Sequence, residues 1–72
     1  MLLAMTDYKQ DLEYPYITPG KFYIATKSAT GGVYFILDDV GESIPIAKGR
    51  PSAHLDDVGS FKFFMATELS EW

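Results

Sequence analysis

Leu37-Asp38-Asp39-Val40-Gly41, LDDVG, returns letter for letter at Leu55-Asp56-Asp57-Val58-Gly59. How these two segments are read decides the fold, because four carboxylates in matched clusters suit a metal site, a catalytic pair, a repeat unit or two turns. A calcium loop of the EF-hand kind takes its oxygen ligands from alternate positions between two helices. Adjacent aspartates in an extended chain point to opposite sides, and the flanking helical patterns are missing. A catalytic carboxylate pair needs one buried and one solvated group, whereas turn aspartates are usually both solvated. The turn reading accounts for every letter. Leucine closes a strand facing inward, aspartate accepts hydrogen bonds from N–H groups two residues on, and glycine takes the left-handed conformation that starts the next strand. One turn used twice is the expectation, and two copies do not make a solenoid.

Outward from the turns, the chain reads as short strands. Val33 to Leu37, VYFIL, is the strongest strand and looks buried on both faces. Glu42 to Lys48 follows, with Pro45 confining it to an edge or bulge. Upstream, Thr18-Pro19-Gly20 signals a turn, Lys21 to Thr26 a strand, and Ser28 to Gly32 a hairpin loop. Downstream, Gly49-Arg50-Pro51 turns the chain, and Ser52 caps one helical turn through His54 and Leu55. Phe61 to Thr67 forms the last strand. Strands of this length closed by Gly, Asp and Pro turns, without helices to cover a parallel sheet, predict an all-β, small antiparallel barrel over residues 17–67.

Residues 1–16 read as an N-terminal arm or short helix. Leu2, Met5, Tyr8 and Leu12 recur at helical steps, and Pro15 ends the segment. Residues 68–72 are a tail. The apolar run Met1 to Met5 has no preceding positive charge and is shorter than the about 7–15 apolar residues of a secretory segment. No stretch approaches the ~20 apolar residues of a membrane span, so a cytoplasmic protein without membrane contact is expected.

The 72 residues hold no cysteine and one histidine, so thiolate and multi-histidine zinc sites are excluded, and no cofactor is expected. With 47% hydrophobic and 15% aromatic residues, the chain has the composition of a folding domain rather than a disordered one. A net charge of −4, with basic residues dispersed, disfavours nucleic acid as partner. It suits a basic protein patch, mimicry of nucleic acid or simple solubility.

Thr18-Pro19-Gly20-Lys21-Phe22-Tyr23-Ile24, then Gly32-Val33-Tyr34-Phe35-Ile36-Leu37, then Asp38-Asp39-Val40-Gly41-Glu42 together resemble the small SH3-like β-barrel proteins of bacteriophages and prophages. The resemblance covers roughly residues 17–48, with a looser match in the Ser-x-x-Leu turn before the last strand. It implies a small SH3-like barrel used for binding, and no particular partner.

His54 has no cysteine to activate and reads as a surface histidine of its turn. Ser28 to Gly32 lacks the spacing of a phosphate loop. Phe22, Tyr23, Tyr34, Phe35, Phe61, Phe63 and Phe64 read mostly as barrel core. Tyr14, Tyr16, Tyr34 and Trp72 are the candidate partner contacts, because tyrosine and tryptophan bury area while keeping a polar tip wet; Tyr14, Tyr16 and Trp72 equally suit capping of the barrel ends. The expected function is a non-enzymatic protein-binding module, a phage or prophage protein that modulates or inhibits a host protein, as monomer or small homo-oligomer. The alternatives are a self-associating structural or virion protein, joined through Leu2, Leu3, Met5 and Leu12, and a weak single-strand nucleic-acid binder using Lys48, Arg50 and the tyrosines.

Overall fold

The computed structural model describes residues 1–29 and 31–66, so Trp72 and the expected tail lie outside the described residues. Six strands form two antiparallel three-stranded sheets. They are β1 (Leu2–Met5), β2 (Tyr23–Ile24), β3 (Thr26–Lys27), β4 (Val33–Leu37), β5 (Ser43–Ala47) and β6 (Lys62–Met65). One sheet has the order β2-β1-β6, the other β3-β4-β5. The expected strand from Lys21 to Thr26 is bent at Ala25, so that its two halves serve different sheets. Ala25 holds the corner: it is buried, and its N–H donates to the Leu2 carbonyl at 2.9 Å.

The fold is all-β and antiparallel as expected, but the barrel is not closed. Single bridges, Lys48 with Phe61 and Pro51 with Ser60, tie the end of β5 to the start of β6. Pro45 sits on β5, the edge of its sheet, opposite Phe35. No N–H is needed at a free edge, so proline is tolerated there.

The expected N-terminal helix is not formed. β1 is the central strand of its sheet, with Leu3 opposite both Ile24 and Phe64, and Ala4 opposite both Tyr23 and Phe63. Three helical turns before Pro15 would be marginal in water, whereas a strand between two others satisfies its backbone on both edges. Ala4 is wholly buried between the Tyr23 and Phe63 positions.

The chain from Thr6 to Gly20 then wraps over the second LDDVG and is pinned by buried polar groups. Thr6 donates from its hydroxyl to the Ser60 carbonyl at 2.9 Å and accepts from the Tyr8 N–H. Gln10 donates to the His54 carbonyl at 2.7 Å and accepts from the N–H groups of Tyr16 and Ile17. Among the described residues, no buried side-chain nitrogen or oxygen lacks a partner, which is the condition for such groups to be tolerated inside.

The core lies between the sheets and gathers Ala4, Tyr23, Ile36, Ile44 and Ile46, with Ile17 and Leu55 from the connecting segments. Strand alternation explains the choice on β4 and β5: Ile36, Ile44 and Ile46 face in. VYFIL is not buried on both faces, because a single layer of sheet covers the core and nothing among the described residues packs on its outside. Phe35 and Leu37 stay exposed.

Candidate protein-binding groove

The outward faces of β2 and β4 are apolar. Phe22 is 40% exposed, Ile24 59%, Phe35 37% and Leu37 62%. Phe22 and Phe35, expected in the core, are among them. Alternation puts Ile24 on the opposite side of its strand from buried Tyr23, and Leu37 opposite buried Ile36. The four side chains line a groove of about 640 Å³, a size ordinary for a ligand or anchor site. Thr26, Ser43 and Lys21 stand at its margins. Phe22 is steadied from outside by Phe64, edge to face at 5.6 Å between ring centres.

One end of the groove is built by the first LDDVG. Asp38 accepts from the N–H groups of Val40 at 3.0 Å and Glu42 at 2.9 Å, while Gly41 adopts φ +84° and donates to the Asp38 carbonyl. This is the expected turn with a left-handed glycine. Asp39 does something further. Its carboxylate receives the Lys21 ammonium at 2.8 Å, the Thr18 hydroxyl at 2.6 Å and the Tyr23 hydroxyl at 2.8 Å, and its N–H donates to the Tyr16 carbonyl. The Lys21 hydrogen bond, followed by that from Thr18, lowers the Asp39 pKa from 3.8 to about 2. The same pair raises the Lys21 ammonium above its usual value. Burial, with the Asp39 contact adding, raises the Tyr23 phenol. The Thr18-Pro19-Gly20 turn, closed by Lys21 N–H to Thr18 O with Gly20 at φ +81°, is thereby fastened to the end of β4.

The second LDDVG is not the same turn. It ends a 3₁₀ turn, Ala53–Leu55, that Ser52 caps by accepting from the His54 N–H. Asp56 and Asp57 are both left-handed, at φ 59° and 57°. Asp56 accepts from the Tyr8 hydroxyl at 2.8 Å and the Asp11 N–H at 3.1 Å, so it anchors the N-terminal wrap. That bond raises the Tyr8 phenol above its usual value. The four aspartates do not converge; among the described residues no three metal-ligating side chains are grouped to hold an ion.

The residues singled out from sequence lie elsewhere. Tyr14 is 82% exposed in the N-terminal wrap. Tyr16 is half-buried, its hydroxyl hydrogen-bonded to His54 Nδ1 at 2.9 Å. Tyr34 is half-buried against Phe63, with ring centres 4.8 Å apart. None of these three lines the groove. Sequence reasoning missed Ile24 and Leu37 as surface residues because apolar letters in a strand say nothing about which sheet faces are covered.

Comparison with known proteins returned no match to a family model, a curated protein or a solved structure. Among the described residues, no helix is long and apolar enough to cross a membrane.

Proposed function

We propose that this chain is a protein-binding module and that the groove between β2 and β4 is its contact surface. The observation that carries this reading is the group of four large apolar side chains left bare side by side. Contiguous exposed apolar patches on soluble domains are often functional. Ile24, Phe35 and Leu37 stand on strands and Phe22 directly precedes β2, so the surface is formed before any partner arrives, which lowers the entropic cost of binding. Among the described residues the groove brings together no nucleophile and base, so the reading is binding without chemistry.

Within this proposal the finer fold is SH3-like, supported by the 3₁₀ turn at Ala53–Leu55 before the last strand. The resemblance to phage barrels makes a bacterial host protein the first partner to test. Immobilised wild-type protein and its Leu37→Asp variant are exposed to the same bacterial lysate. Wild type retains a protein that the variant, equally folded by circular dichroism, does not. Identical retention by both, or none at micromolar bait, overturns the proposal. Self-association would use the same bare face, and a mass of one chain by light scattering excludes it.

A further inference from the structure

The ladder between β3 and β4 pairs Lys27 with Tyr34 and Thr26 with Phe35, and there it stops. In antiparallel strands, alternate residues turn their N–H and C=O to opposite edges. Ala25 bonds toward β1 through its N–H to Leu2, so Ile24 turns its own backbone groups the other way, toward β4. On β4, Asp38 bonds toward β5 through its N–H to Glu42, and Val33 accepts from Ser28 on the opposite edge. Leu37 shares the parity of Val33 and turns its N–H and C=O toward β2. Two residues past Thr26 and Phe35 the same register would pair Ile24 with Leu37, but among the described residues Ile24 pairs only with Leu3 and Leu37 only with Ser43.

Further along, the gap is shut again. The Asp39 N–H reaches the Tyr16 carbonyl at 2.9 Å, and the Asp39 carboxylate holds Thr18, Lys21 and Tyr23. The groove is therefore a window in the sheet wall, closed at both ends. Backbone polar groups stand at its rim, and Phe22, Ile24, Phe35 and Leu37 surround it.

Building on the reading of this groove as a protein-binding surface, we propose that the window receives one uncharged aromatic side chain with a polar tip, a tyrosine or tryptophan presented by the partner protein. Three features select that chemistry. The four apolar side chains match an aromatic ring, which buries large area at small entropic cost. The backbone groups that Ile24 and Leu37 turn toward each other, left out of the ladder among the described residues, need a polar atom once water is displaced, since burying them unpaired is costly; a hydroxyl or an indole N–H supplies one. Lys21, the charged residue lining the groove, is already neutralised by Asp39 at 2.8 Å, so charge complementarity favours an uncharged occupant. The closed ends exclude an extended strand threading through the sheet.

The test is an NMR titration of the whole chain with N-acetyl-tyrosinamide, N-acetyl-tryptophanamide and N-acetyl-phenylalaninamide. The tyrosine and tryptophan compounds shift the amide signals of Ile24 and Leu37. The phenylalanine compound, lacking the polar tip, binds about tenfold more weakly. Leu37→Asp removes the shifts, and the milder Leu37→Ser weakens them, with the circular dichroism spectrum unchanged in both. Equal binding of the phenylalanine compound, or no shift at the window, overturns the inference. Retention of a lysate protein that depends on Leu37 would then leave the groove reading standing. A dimer in light scattering that Leu37→Asp disperses also overturns it and assigns the window to a second copy, with Tyr14, 82% exposed, as the side chain to test.

Discussion

In Leu37–Gly41 the glycine is required for its dihedral, and in Leu55–Gly59 the same letter is required for its emptiness. Gly41 sits at φ +84° with nothing within 4 Å of where a Cβ would stand. Gly59 has no such dihedral, but a Cβ there would lie 2.5 Å from both Cβ and Cγ of Tyr8. The aspartates differ in the same way. In the first copy Asp38 closes the turn and Asp39 reaches back to Thr18, Lys21 and Tyr23. In the second copy Asp56 does the reaching, to Tyr8 and Asp11, and the turn is closed by backbone bonds of Asp57 to Ser52 and of Val58 and Gly59 to Leu55. Five identical letters yield two conformations because a strand leads into one and a capped 3₁₀ turn into the other. Both copies nevertheless fasten a distant part of the N-terminal half to the body.

That contrast can be broken at several points. The largest effect is expected at Gly59. Gly59→Ala drives a methyl into the near end of the Tyr8 side chain, displaces the wrap and loses the Tyr8–Asp56 bond, costing about 3 kcal/mol of stability in urea unfolding. Gly59→Asn is no better, since a larger side chain meets the same obstacle. At Gly41 the order reverses. Gly41→Ala costs about 1 kcal/mol for the left-handed dihedral, and Gly41→Asn recovers part of it because asparagine visits that region readily. If Asn rescues Gly59 and not Gly41, the two roles have been assigned the wrong way round.

A smaller effect concerns acid. The Asp39 pKa is lowered to about 2 from 3.8. A carboxylate with a depressed pKa adds stability above its unfolded value, and loses it as pH falls through the folded one. Wild type is therefore expected to lose about 1 kcal/mol from this group between pH 5 and 2, less than the bare shift implies because solvent screens a partly exposed pair. Asp39→Asn flattens that part of the profile.

The turns were legible in the sequence because their chemistry is local. Pro19-Gly20, Asp38 with Gly41, and Ser52 as a cap each act within a few residues. Pro45 gave away the edge strand for the same reason, through its missing N–H. The N-terminal strand was not legible. Leu2, Leu3 and Met5 satisfy helical and extended spacing alike in so short a run, and what decides between them is the presence of β2 and β6 on either side. Gln10 and Thr6 carried no signal at all. A polar residue in a loop reads as solvated until the carbonyls of His54 and Ser60, more than forty positions away, are placed beside it. The groove fails for a related reason. Phe22, Ile24, Phe35 and Leu37 look like core letters, and only the arrangement of two sheets around one core leaves them outside.

Amide hydrogen exchange, read residue by residue by NMR in the partner-free protein, probes most directly whether β2 and β4 part as described. The N–H groups of Ile24 and Leu37 should exchange rapidly while that of Ile36, directed toward β5, is protected. Protection of Ile24 and Leu37 equal to that of Ile36 would mean that the ladder runs on past Thr26 and Phe35, leaving no window and no groove floor for a partner to reach.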